Sequence, residues 1–327
     1  MGGLPEQEIF KVFVTREIPQ AGIKRIREFA EVDVWQGMLP PGRDELLERV
    51  GGCHGLITLL SDRVDAELIE HAGLQLRVIS NYAVGVNNID LEAARLRGIA
   101  VGNTPDVLTD ATADTALALL LAAARRLPEA IDNVRQGNWK TWEPKGFLGV
   151  DLVGRTVGIV GMGRIGFAVA KRLHFGWGMQ VLYTSRTPKP RADQELGAKR
   201  VSLTDLLKGS DFVSLHCPLT SETRDSINTK RLALMRDHAV LVNTARGEIL
   251  DQDALYEALR NRRIFAAGLD VTTPEPLPTN HPLASLPNCV IAPHIGSASF
   301  DSRNAMALIA AENLIAGLTR QPLPHPV

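Results

Sequence analysis

In the string Thr156-Val-Gly-Ile-Val-Gly-Met-Gly-Arg-Ile-Gly166, three of the four glycines, Gly161, Gly163 and Gly166, form a spaced set. Their G-x-G-x-x-G spacing follows a branched-aliphatic run and opens an apolar helical one, a setting in which each glycine has a task. Gly161 makes a tight turn, Gly163 lets the backbone approach a pyrophosphate, and Gly166 lets the helix lie on the strand. Met162, Arg164 and Ile165 complete the turn and carry it into the helix N-terminus, where anionic phosphate is favoured. The chemistry implied is dinucleotide binding. About 20 residues onward, where an NAD-selective site carries an acid for the ribose hydroxyls, Val181-Leu-Tyr183 runs instead into Thr184-Ser185-Arg186-Thr187. Hydroxyls beside a guanidinium suit a 2′-phosphate, so NADP(H) is expected to be preferred, with NAD(H) as the second option. The alternative is that Arg186 is a solvated residue next to Pro188 and Lys189.

A second constellation lies downstream: Arg246 in Asn243-Thr-Ala-Arg-Gly247, Glu275 in Thr273-Pro-Glu-Pro276, and His294 in Ala292-Pro-His-Ile-Gly-Ser297. Each follows a strand-like run, so the three can converge at the carboxyl ends of a parallel sheet, where such folds bind ligands. Singly they have ordinary readings: a structural ion pair, a surface acid, a hydrogen-bonded core histidine. Together, beyond a nucleotide fingerprint, they offer an acid/base pair and an anion clamp. Cys217-Pro218, after the run at 212–215, is expected to border the cofactor, its thiol a packing group.

The elements that must position these residues read as alternating strand and helix. Strands are expected at 12–15, 31–34, 55–59, 77–80 and 99–103, with helices at 20–29, 44–49, 65–71 and 88–97. That rhythm implies a mostly parallel sheet with covered faces. An apolar helix follows at 110–126, with Pro128 just beyond its last turn. The irregular, aromatic-rich segment 137–149 reads as an arm needing a surface to pack on. Six more strands, at 156–160, 180–183, 212–215, 239–242, 266–269 and 289–291, suit a dinucleotide domain, and a last helix spans 299–317.

The 327 residues allow about two domains. Lysine and arginine number 36 against 37 aspartates and glutamates, a net charge of -1 that gives no general hold on nucleic acid or an acidic membrane. Three cysteines, Cys53, Cys217 and Cys289, are too few and scattered for a disulfide framework or a four-ligand zinc site, so no metal is expected and the location reads as cytoplasmic. The run 116–124 is about half of the ~20 residues that cross a bilayer. Residues 1–20 do not read as a secretion signal, and Glu6 stands where a myristoylation signal needs serine or threonine.

The glycine string, segments 243–247 and 268–271, Glu275 and 293–297 resemble the D-isomer-specific 2-hydroxyacid dehydrogenase family. Thr104-Pro-Asp-Val-Leu-Thr-Asp110, Arg125-Arg-Leu-Pro-Glu-Ala130, Leu182-Tyr-Thr184 and the string 267–282 are particularly similar to its glyoxylate/hydroxypyruvate reductase branch. The resemblance implies an α/β fold of two Rossmann-like or flavodoxin-like domains with parallel sheets and an interdomain active-site cleft. Residues 1–104 plus 296–327 would form the substrate domain and 105–295 the dinucleotide-binding domain, including a dimerisation arm at about 125–150. It implies His294 as acid/base, Glu275 as its partner and Arg246 as clamp for a 2-oxo acid. Chemistry agrees: a hydride at C2, a proton on the developing alkoxide and a cation on the carboxylate are what the reduction requires, and Glu275 favours the charged imidazole.

The family further implies Val84, Gly85 and Ser297 near the substrate, and Asp270 beside the nicotinamide amide. Thr244, Ala245, His294 and Gly296 complete the expected cofactor lining. Trp142 matches an aromatic reaching the neighbouring subunit's site, its other reading being an interface anchor. The expected activity is NADPH-preferring reduction of glyoxylate and hydroxypyruvate to glycolate and D-glycerate by a homodimer. The alternatives are a 2-ketogluconate reductase or broader D-2-hydroxyacid dehydrogenase and, from another class, a nucleotide-sensing interaction protein.

Overall fold

A computed structural model describes residues 9–327. Residues 1–8, on which the readings against a secretion signal and a myristoyl group partly rest, lie outside the described residues. The chain forms two compact units, one running to Leu108 and resuming at Ala298–Val327, the other Thr109–Ser297. The expected crossings at 104/105 and 295/296 thus differ by a few residues. At the second crossing the cause is visible, because the amides of Ile295 and Gly296 donate to Asp270 and tie that turn to the second unit.

The first unit is built on β1 (Phe10–Val14), β2 (Ala30–Val34), β3 (Gly55–Thr58), β4 (Val78–Asn81) and β5 (Ala100–Gly102), with helices α1 (Gln20–Arg27), α2 (Arg43–Val50), α3 (Ala66–Ala72) and α4 (Leu91–Leu96). The strands pair in parallel in the order β2-β1-β3-β4-β5. β3 and β4 are buried along their whole length, as a sheet covered on both faces requires. The Asp65 and Asp90 side chains cap α3 and α4 by accepting the Leu68 and Ala93 amides. The C-terminal helix, α12 (Phe300–Leu318), packs on α1 and on β3 to β5. It crosses α1 so closely that a Cβ on Gly22 would stand 2.6 Å from the Ala307 carbonyl oxygen.

The second unit holds α5 (Thr109–Ala124), α6 (Leu127–Arg135), β6 (Thr156–Val160), α7 (Arg164–Trp177), β7 (Gln180–Thr184), α8 (Pro190–Leu196), β8 (Lys199–Arg200) and α9 (Leu203–Gly209). After these come β9 (Phe212–Leu215), α10 (Thr229–Leu232), β10 (Val240–Asn243), α11 (Gln252–Arg260), β11 (Ala266–Leu269) and β12 (Cys289–Ile291). The parallel sheet runs β12-β11-β10-β9-β6-β7-β8, so the strand order reverses between β6 and β9.

Two expectations are corrected here. The sheet has seven strands, not six, because β8 is a two-residue exposed edge with no apolar alternation to announce it. The helix expected over 110–126 ends at Ala124. Arg126 adopts a left-handed φ of 52°, and Pro128 occupies the first turn of α6, where a missing amide costs nothing. Among the described residues no helix is long and apolar enough to cross a membrane, and no cluster of three or more His, Cys, Asp or Glu is placed to hold a metal.

Candidate active site

β6 and β9 end side by side at the reversal of strand order, and the glycine turn leaves from β6. Gly161 has φ +98°, and a Cβ there would lie 2.5 Å from the Cys217 amide nitrogen, so the segment leaving β9 leans directly on the turn. A Cβ on Gly166 would be 2.2 Å from the Gly161 carbonyl oxygen. Gly163, the N-cap of α7, has open space where its Cβ would be, and no side chain caps the helix. Met162 is buried and can offer only its backbone; Ile165 is part-buried and Arg164 exposed. An uncapped helix N-terminus with room beside its glycine fits a pyrophosphate.

At the end of β7, Ser185 Oγ donates to the Thr187 carbonyl (2.6 Å), while the Arg186 side chain is exposed. Arg200 on β8 was not anticipated: its guanidinium bonds the Ser185 carbonyl at 2.9 and 3.1 Å and the Arg186 carbonyl at 3.0 Å, bracing the loop. On the other side of the turn, burial pushes the Cys217 thiol up to about 11, which leaves it an inert packing group. Burial likewise draws His216 down to about 4, a neutral ring bonded to Ser214 Oγ at 2.7 Å. Thr244 is buried, Ala245 part-buried and Pro218 exposed.

β10, β11 and β12 are adjacent, so the segments leaving them emerge together. After β10, the Asn243 side chain folds the loop by donating to the Arg246 carbonyl (2.8 Å) and accepting the Ala245 amide (3.0 Å). Burial pulls the Arg246 guanidinium's pKa down, against the charges of Glu275 and Glu248. After β12, His294 Nδ1 meets Glu275 Oε2 at 2.9 Å, with the two side chains 30% and 38% exposed. Glu275 Oε1 accepts the Thr272 amide at 3.0 Å. Partial burial raises the Glu275 carboxyl, but the His294 bond and charge, the Thr272 amide and Arg246 outweigh it and leave it below its ordinary value.

His294 has φ +55°, and its amide donates to the Asp270 carbonyl. The buried Asp270 carboxylate accepts the next two amides, Ile295 and Gly296, each at 2.7 Å. Burial raises the Asp270 carboxyl, the two amides and His294 oppose this, and the balance stays above the ordinary value. Both oxygens are engaged with backbone, and each keeps a second lone pair for a ligand. Ser297, half-buried, follows directly.

In the first unit, the loop after β4 has its carbonyls turned inward. Ala83 O accepts the Thr104 amide, Val84 O accepts Asn103 Nδ2 (2.7 Å), and Gly85 O accepts Asn81 Nδ2 (2.9 Å). Asn88 completes the frame through Asn81 and the Leu59 and Asp62 carbonyls. The amides of Val84 and Gly85 donate to nothing among the described residues. Such a loop is a donor surface for an anion. The three asparagines escaped the sequence reading, since their partners lie up to 29 residues away.

Trp142 and Trp139 are exposed at 79% and 67%. α6 buries no residue, and Leu127, Ile131 and Val134, spaced along one helical face, are all exposed.

A chain named glyoxylate reductase from Thermococcus litoralis is 53% identical over 310 residues, covering 94% of this chain and 93% of the relative. A crystal structure of a protein from Thermus thermophilus superposes with a TM-score of 0.92 at 53% identity, over 97% of this chain and all of that one. The NADPH-dependent glyoxylate/hydroxypyruvate reductase of Sinorhizobium meliloti, solved with NADP and malonate, gives a TM-score of 0.83 at 33% identity, over 97% of this chain and 96% of its own. The family model for the D-isomer specific 2-hydroxyacid dehydrogenase NAD binding domain matches residues 117–296, and the chain belongs to that family.

Proposed function

We propose that the protein reduces glyoxylate and hydroxypyruvate to glycolate and D-glycerate, with NADPH preferred over NADH. The observation that carries this is the His294–Glu275 pair at 2.9 Å, on segments leaving β12 and β11, the second of which neighbours the strand bearing Arg246, in the sheet whose reversal point holds the glycine turn. Gly161 to Gly166 would hold the pyrophosphate, and Ser185, Arg186 and Thr187 the 2′-phosphate. Cys217, Pro218, Thr244, Ala245, Asp270 and Gly296 would line the remainder. The bound nicotinamide supplies the hydride that reduces C2.

Glu275 occupies Nδ1 of His294, so the proton for the developing alkoxide leaves from Nε2. A carboxylate held below its ordinary pKa stays charged in the neutral range and favours the protonated ring before transfer. Arg246, part-buried and so little screened, clamps the oxo acid and stabilises negative charge as it forms on oxygen. In the first unit, the Val84 and Gly85 amides are assigned an anion; in the second, Ser297 is assigned a polar contact for substrate. The exposed face of α6 and the arm with Trp142 support a homodimer, and the free thiols Cys53, Cys217 and Cys289 a cytoplasmic location.

The test is loss of reduced cofactor with each oxo acid. Turnover should be present and should fall about 10²–10⁴-fold in His294→Ala, with cofactor affinity retained. No turnover with either cofactor, or full turnover in the variant, refutes the assignment.

A further inference from the structure

The mechanism above uses Arg246, Glu275 and His294, but nothing in it explains how the guanidinium loop and the carboxylate loop keep their register. Gln252, the first residue of α11, is 8% exposed and points its amide back across the sheet's end. Its Nε2 donates to the Thr273 carbonyl (2.5 Å) and its Oε1 accepts the Thr273 amide (2.7 Å), so both ends of one side chain grip one residue 21 positions away. The preceding residue, Thr272, gives its amide to Glu275 Oε1 and its hydroxyl to the Pro274 carbonyl. The residue after Arg246 presses on the same place: a Cβ on Gly247 would stand 2.1 Å from the Thr272 carbonyl oxygen.

We propose that Gln252 is a positioning residue for the reaction. By clamping Thr273 it joins the Arg246 loop to the Glu275 loop and holds the carboxylate where it fixes the charge and orientation of His294. The inference rests on the proposed reductase reading and deepens it. Thr273 is exposed, so water can replace both bonds when the amide is removed. The fold then survives, and the loss falls on geometry.

The experiment compares the intact protein with Gln252→Leu and Gln252→Glu. In the leucine variant, the alkaline limb of kcat/KM for hydroxypyruvate should move down by about one pH unit, a tenfold loss above that limb, while the Kd for NADPH stays within about twofold. Gln252→Glu keeps the acceptor for the Thr273 amide and should fall between the two. Independently of turnover, an NMR titration of the His294 ring should move in Gln252→Leu in the same direction as in Glu275→Gln. A variant with lower melting temperature but an unmoved pH profile and an unmoved ring titration would overturn the proposal and leave Gln252 a fold contact. If the unmodified protein does not turn over, the reductase reading fails, and the ring titration still decides the role of Gln252.

Discussion

Replacing Glu275 with glutamine separates the electrostatic part of the mechanism from its geometry. The carboxylate serves two donors, Thr272 N at 3.0 Å and His294 Nδ1 at 2.9 Å. A glutamine has one acceptor oxygen, so it can keep only one of them and must turn its NH₂ toward the other. Two unit charges about 4 Å apart interact by about 1 kcal/mol in water and about 4 kcal/mol at an effective dielectric near 20. With side chains 30% and 38% exposed, screening places the pair in the lower half, about 1–2.5 kcal/mol. At 1.36 kcal/mol per factor of ten, kcat/KM for oxo-acid reduction on the alkaline side should fall by about 5- to 70-fold. Activity should be lost at and above neutral pH and largely recovered in acid.

The sign for stability follows from the same carboxyl. Its folded pKa lies below the ordinary value, so its contribution is present above the unfolded value and disappears as pH falls through the folded one. Wild type should therefore lose more stability than the glutamine variant on acidification through that window. A pH–rate profile whose alkaline limb is unmoved in Glu275→Gln would refute the reasoning, since His294 would then take its charge preference from elsewhere.

Arg186→Ala should weaken NADPH about ten- to hundredfold, as expected for a lost charge-assisted phosphate bond, and leave NADH within about twofold; equal effects in a binding titration would remove Arg186 from the phosphate site. Asp270→Asn leaves one oxygen for the amides of Ile295 and Gly296 and should destabilise by about 1–3 kcal/mol, with kcat falling beyond the loss of folded protein; a melting curve and kcat matching wild type would count against it. Ile131→Glu on the exposed face of α6 should convert a dimer to monomers in sedimentation equilibrium. A wild-type monomer, or a dimeric variant, would show that this face is not the interface.

Much of this was legible in the sequence because it is local. Buried parallel strands read as continuous branched-aliphatic runs, and the glycine spacing condenses its turn, its open cap and its helix contact into six residues. Arg246, Glu275 and His294 were visible as candidates because each follows a strand, though no pattern in the chain shows that Glu275 and His294 touch across 19 positions. The bracing groups were invisible for the same reason. Gln252, Arg200 and Asn81 look like ordinary polar residues until the fold brings in their partners. The Pro128 reading failed because a proline ends one helix and starts another with equal ease, and the left-handed Arg126 that decides between them has no sequence marker.

The backbone at His294 shows how the fold divides the work. A left-handed φ on a residue with a side chain costs roughly 1–2 kcal/mol, and such outliers persist only where their surroundings over-determine them. Here Asp270 gathers three successive amides, His294 on its carbonyl and Ile295 and Gly296 on its carboxylate. Two charge-assisted bonds at roughly 1.5–3 kcal/mol each outweigh the strain. The imidazole's place is therefore set from its own backbone, by a residue at the end of the neighbouring strand, without help from Glu275. On the proposed mechanism, Glu275 is then left to govern which way the ring faces and its charge, and Gln252 to govern where Glu275 stands. Because position and charge are controlled by separate side chains, perturbing Asp270 should degrade geometry at every pH, whereas perturbing Glu275 or Gln252 should displace the pH profile.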